Sequence, residues 1–154
     1  MILSGQRLMT YWDTSALLKL YVHEADSGFF VNLLRESESP VCTSSLTSIE
    51  LLCAANRKEH ARDLRPGEAA KAADRFLADS KDGNFVHVPC GNEIILRTRH
   101  IVQAAFKQSR PIMIRSLDAI HVASALAAGA QTLVTTDRRL RAVAESAGLT
   151  VFPG

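Results

Sequence analysis

Short apolar runs rich in β-branched and aromatic residues alternate along the chain with longer stretches whose apolar positions recur every three or four residues. Leu8 to Trp12 reads as a strand, with its regular part beginning near Met9, and a helical pattern follows from about Ala16. Val41 to Thr43 is a second strand, leading into the helical run Ile49-Glu50-Leu51-Leu52-Cys53-Ala54-Ala55. Phe85 to Pro89, Thr132 to Thr135 and Leu149 to Phe152 are the third, fourth and last strands. Between them the periodicity predicts helices around Glu68–Ala78, Glu93–Gln108 and Ser116–Ala127. Arg65-Pro66-Gly67 breaks one helical region from the next. Strands separated by helices imply βαβ units, so the expected class is α/β, with a mainly parallel sheet covered on both faces. Residues 1–8 read as an N-terminal extension and residues 9–154 as a single domain.

Four acidic residues, Asp13, Glu50, Asp118 and Asp137, fall at or near the starts of helices. Each has a purely structural explanation. Asp13 and Asp137 follow strands and suit the N-cap, where a carboxylate accepts backbone N–H bonds. Asp118 lies in a first helical turn, where negative charge complements the macrodipole. Thr47-x-x-Glu50 fits a capping box. The joint pattern adds a second reading, because parallel α/β proteins bind ligands outside the carboxyl ends of their strands. Carboxylates gathered there repel one another unless a cation sits among them. Hard oxygen donors without an accompanying Cys/His set suit Mg²⁺ or Mn²⁺ better than Zn²⁺. Ser15 and Thr136, beside two of the acids, are placed to orient carboxylates as a supporting layer. His121 shares the helix of Asp118 and reads as structural or supporting, and His87 as a packed or edge residue of its strand.

Composition narrows the class without choosing a function. The chain has 154 residues, 47% apolar and 22% charged, an ordinary globular balance with enough length for a core. No apolar run approaches a membrane span, and the opening MILSGQRL lacks the extended apolar region of a signal peptide, so a cytoplasmic location is expected. Cys42, Cys53 and Cys90 show no C-x-x-C spacing and are expected to be buried and reduced. A net charge of +2 does not by itself point to nucleic acid. The cluster Arg57, Lys58, Arg62 and Arg65 reads as a solvated face. A second cluster, Arg138, Arg139 and Arg141, taken alone also reads as a solvated face, but Arg138 and Arg141 share a helical face beside the acids and are candidate contacts for a nucleic-acid backbone. No Gly-rich phosphate loop or G-x-S-x-G elbow is present.

The run Tyr11-Trp12-Asp13-Thr14-Ser15-Ala16-Leu17-Leu18-Lys19-Leu20-Tyr21 resembles the opening of PIN domains, especially the VapC-type toxins of bacterial toxin–antitoxin pairs. Ser48-Ile49-Glu50 resembles that family's second motif and Ser116-Leu117-Asp118-Ala119-Ile120-His121 its third. Leu133-Val134-Thr135-Thr136-Asp137-Arg138-Arg139-Leu140 is similar to the fourth, and Gly148-Leu149-Thr150-Val151 to the usual final strand. The resemblance implies a PIN-like fold, a central parallel sheet of about five strands flanked by helices. It also implies an Mg²⁺- or Mn²⁺-dependent endoribonuclease, with Asp13 and Asp118 as principal metal ligands and Glu50 and Asp137 completing the pocket. A cognate antitoxin and a homodimer are expected on the same basis. Two other readings stay open. One is a stand-alone PIN nuclease without an antitoxin, the other a binding-only protein whose acids are caps. A phosphatase using Asp13 as nucleophile is disfavoured, because such enzymes want a second Asp two residues on and position 15 is Ser.

Overall fold

The computed structural model describes residues 8–154. Five strands form one sheet: Thr10–Trp12 (β1), Val41–Ser44 (β2), Val86–Val88 (β3), Thr132–Val134 (β4) and Thr150–Phe152 (β5). Every neighbouring pair is parallel, in the order β3-β2-β1-β4-β5. The helices among the described residues are Thr14–Tyr21 (α1), Ser27–Glu36 (α2), Thr47–His60 (α3), Glu68–Lys81 (α4), Asn92–Lys107 (α5), Ser116–Ala127 (α6) and Arg138–Ser146 (α7). The extension read at residues 1–8 lies outside the described residues except for Leu8, which is exposed.

Side-chain alternation in β1 divides the core. Trp12 points to one face with Leu17, Phe30, Leu51 and Phe76 of α1–α4, while Tyr11 points to the other with Val122, Leu140 and Val143 of α6 and α7. Because both faces are covered, the interior strands are buried on both sides, whereas the edge strands β3 and β5 keep exposed residues.

The expected α/β class and parallel sheet are present, with the ends of four strands trimmed by one or two residues and β2 longer by one. The break at Arg65-Pro66-Gly67 falls between α3 and α4, and Gly67 takes a φ of 87° that a side chain would resist. Helix α2 has no counterpart in the periodicity reading. Its separation from α1 rests on Ser27, whose hydroxyl donates to the Val22 carbonyl and accepts from the Glu24 N–H, rather than on Gly or Pro. The cysteines are free as expected, and burial pushes the Cys42 thiol up to about 11. Cys53 is exposed on α3 instead of buried, and Cys90 is half-buried. His87 lies on edge strand β3 against Phe76.

The sheet order also fixes where a ligand belongs. The chain leaves β1 towards β2 and β3 on one side, then returns to build β4 and β5 on the other. The two directions part between β1 and β4, and the crevice beyond the carboxyl ends of those strands is the topological switch point.

Candidate active site

Asp13 directly follows β1 and caps α1, and Asp137 follows β4 and caps α7, so the switch point is flanked by two carboxylates. The strands hold them in register, since the Asp13 N–H donates to the Val134 carbonyl at 3.1 Å. Asp13 is almost fully buried and uses both oxygens. Oδ1 accepts from the Ala16 N–H at 3.0 Å, and Oδ2 accepts from the Thr135 hydroxyl at 2.7 Å. The Ser15 hydroxyl lies 2.8 and 2.9 Å from the two oxygens and is shared between them. Burial raises the Asp13 pKa, and the nearby His121 charge and these hydrogen bonds offset only part of that rise.

Thr135 then links the first acid to the fourth. Its hydroxyl donates to Asp13 and accepts from the Asp137 N–H at 2.9 Å. The hydroxyl that reaches the pocket is therefore that of Thr135. Thr136, the residue proposed from sequence, is exposed and contributes its backbone N–H to Ser15 at 3.0 Å.

Asp137 divides its oxygens between two tasks. Oδ1 caps α7 through the N–H groups of Arg139 and Leu140, and Oδ2 accepts from Arg115 Nη2 at 3.1 Å. The same guanidinium donates through Nε to Asp118 Oδ2 at 3.1 Å. Arg115 immediately precedes α6 and so bridges the third acid to the fourth.

Glu50 is not the partner of a capping box. Helix α3 has no side-chain cap, and the Thr47 hydroxyl pairs with that of Thr43 at 2.7 Å. Glu50 Oε1 instead accepts from the Thr14 hydroxyl at 3.1 Å and from His121 Nε2 at 2.7 Å. A carboxylate only accepts, so Nε2 carries the hydrogen. The other ring nitrogen, Nδ1, meets the Tyr11 hydroxyl at 2.7 Å. Burial lowers the His121 pKa, but the hydrogen bond and charge of Glu50, with the charges of Asp13 and Asp118, more than reverse this and leave it raised.

These hydrogen bonds form one chain, from Asp13 through Thr135 to Asp137 and through Arg115 to Asp118, with Glu50 tied to the same edge through Thr14 and His121. Arg138 begins α7 beside them and is exposed. Arg141 turns away, its guanidinium donating to the Pro153 carbonyl and lying 3.7 Å from Glu145. The proposed pairing of Arg138 with Arg141 thus separates into one open cation and one committed to Pro153, just past β5. Sequence reading missed Arg115, Thr135 and the Tyr11–His121 link, of which only the position of His121 beside Asp118 carried a signal. A cleft of about 820 Å³, lined by Lys19, Tyr21, Arg62, Arg65 and Arg75 among others, contains none of the four acids.

The donor chemistry fits a hard divalent cation. All four candidates are carboxylates, and the second oxygens of Glu50 and Asp118 accept no hydrogen bond from the described residues. As they stand, no three His, Cys, Asp or Glu side chains among the described residues are grouped to hold a metal ion, and Arg115 lies between two of the four acids.

The family model for the PIN domain matches residues 10–146, a span that contains all four acids. The chain belongs to the PIN domain family. Among curated PIN-domain relatives, Ribonuclease VapC35 of Mycobacterium tuberculosis (strain ATCC 25618 / H37Rv) is 33% identical over 153 residues, covering 95% of this chain and 98% of its own. Ribonuclease VapC47 of Mycobacterium tuberculosis (strain CDC 1551 / Oshkosh) is 31% identical over 152 residues with the same coverage. Solved structures agree on the fold. FitAcB from Neisseria gonorrhoeae matches this PIN domain with a TM-score of 0.66 at 18% identity, over 94% of this chain and 96% of that one. VapBC2 from Rickettsia felis, bound to a DNA fragment from its promoter, matches with a TM-score of 0.64 at 15% identity, over 94% and 97%.

Proposed function

We propose that this PIN domain is an endoribonuclease that cleaves RNA phosphodiester bonds with Mg²⁺ or Mn²⁺, as the toxin of a toxin–antitoxin pair in the cytoplasm. The observation that carries the reading is the chain of hydrogen bonds that links Asp13, Asp137 and Asp118 through Thr135 and Arg115 beside the β1/β4 switch point, with Glu50 held to the same edge by His121. Relatives named as ribonucleases over nearly the whole chain support RNA as the substrate.

Asp13 and Asp118 are the proposed principal ligands, with Glu50 and Asp137 completing the set. When bound, the ion supplies Lewis-acid activation of a water nucleophile and stabilises charge developing on the phosphate. Ser15 and Thr135 hold both Asp13 oxygens in place before any ligand arrives, so this one carboxylate is oriented in advance. His121, braced by Tyr11, does the same for Glu50. Arg138, exposed at the rim, is the proposed contact for the RNA backbone.

The toxin assignment is supported by a structural neighbour that is itself a toxin–antitoxin complex, from Klebsiella pneumoniae. A protein antitoxin that blocks the acidic edge and a homodimer of the toxin belong to the same proposal. Purified protein is expected to cut RNA with Mg²⁺ or Mn²⁺ and to stop when a chelator is added. Undiminished cleavage in chelator contradicts the metal assignment. Growth arrest on expression, relieved by the product of an adjacent gene, supports the toxin role. Harmless expression of an active nuclease points to a stand-alone enzyme.

A further inference from the structure

Arg115 stands out because it holds two of the proposed ligands from outside the pocket. Asp118 is buried and Asp137 half-buried, but the Arg115 side chain is 60% exposed. Its guanidinium reaches inward from the start of α6 and places one N–H on Oδ2 of each acid. In Asp137 that oxygen is the one left over, since Oδ1 is committed to the α7 cap. Apart from His121 on Glu50, no other basic side chain among the described residues pairs with the four acids.

We propose that Arg115 is a built-in counter-ion of the acidic pocket, displaced when a divalent cation binds Asp118 and Asp137. The inference rests on the metal reading given above. In the metal-free protein the guanidinium offsets the repulsion among carboxylates crowded at one sheet edge. A divalent ion held by the same two carboxylates would sit within a few ångströms of that positive charge. Like charges at such a distance repel, so ion and guanidinium compete for the same seats. Exposed ion pairs are weak and the arm is anchored only by its backbone, so its release leaves the fold intact.

The test is calorimetric titration of Mn²⁺ into the full-length wild-type protein, Arg115→Gln and Arg115→Lys, with thermal unfolding of each in chelator. Arg115→Gln removes the competitor and is expected to bind Mn²⁺ about tenfold more tightly, an ordinary size for coupling between ligands. Its metal-free form is expected to melt below wild type and to gain more from added Mn²⁺. Arg115→Lys keeps the charge without the two-pronged geometry and is expected to fall between the two. Mn²⁺ binding by wild type that is unchanged or weaker in Arg115→Gln overturns the counter-ion role while leaving the metal site standing. No Mn²⁺ binding by any of the three proteins overturns both.

Discussion

His121 Nε2 lies 2.7 Å from Glu50 Oε1, and this one contact joins the two helical layers at the edge where the acids meet. His121 comes from α6, on the Tyr11 face of the sheet, and Glu50 from α3, on the Trp12 face. The histidine is buried and saturated, with the Tyr11 hydroxyl on its other nitrogen. It is therefore a brace for Glu50, not a free general base.

Removing that brace leaves Glu50 with Thr14 alone and takes from the buried Tyr11 phenol its ring partner. His121→Ala is expected to lower stability by about 2–4 kcal/mol, combining lost hydrogen bonds with a cavity. Tyr11→Phe, which strips one partner from the ring, is expected to lower it by about 1–2 kcal/mol. Urea unfolding measures both, and a His121→Ala loss well below that of Tyr11→Phe contradicts the bracing role.

The same groups set a pH dependence for the metal-free protein. The folded-state pKa of His121 is raised above its ordinary 6.5, so its stabilisation is full below that value and is lost as pH rises through the folded pKa. Asp13 is also raised, so the folded state holds its proton more firmly than the unfolded chain, and stability again falls as pH rises. Glu24 and Asp26 are lowered by burial-opposed and exposed contacts with Lys19, and their opposite contribution is complete above the ordinary carboxylate range. In chelator, the urea midpoint is expected to fall over the interval that begins above the ordinary histidine value of 6.5, and His121→Gln to flatten that fall. A midpoint that rises over this interval reverses the assigned sign.

The two arginines of α7 are expected to separate by assay. If Arg138 touches one phosphate, Arg138→Ala lowers the salt slope of RNA affinity by about 0.7, the value for one single-strand contact. Arg141→Ala is expected to leave the slope unchanged and to loosen the C-terminal segment held through Pro153. Equal slope changes for the two variants contradict the division.

Local chemistry made much of this legible. Helix α6 has the bounds that its periodicity gave, and Asp13 and Asp137 sit where strand residues followed by a capping acid put them. Those two acids are caps as well as candidate ligands, so the structural and functional readings coexist in the same side chains. What escaped depends on contacts distant in sequence. His121 meets Glu50 across 71 positions and Thr135 meets Asp13 across 122, and no local pattern records either. Thr136 and Thr135 are adjacent and chemically alike. Only the pairing of β4 with β1 decides that Thr135 turns inward. The Thr47-x-x-Glu50 spacing misled for the same reason, since a capping box competes with partners that arrive only on folding.

The most direct measurement is RNA cleavage in Mg²⁺ by the wild-type protein beside Asp13→Asn and Asp118→Asn, each purified free of host nuclease. The substitutions keep the side-chain shape and remove the charge of two proposed ligands. Each is expected to reduce the cleavage rate by about 100-fold or more, the scale on which loss of one transition-state-stabilising group is felt. Wild-type rates from folded Asp118→Asn would contradict the claim that these acids form one catalytic metal pocket.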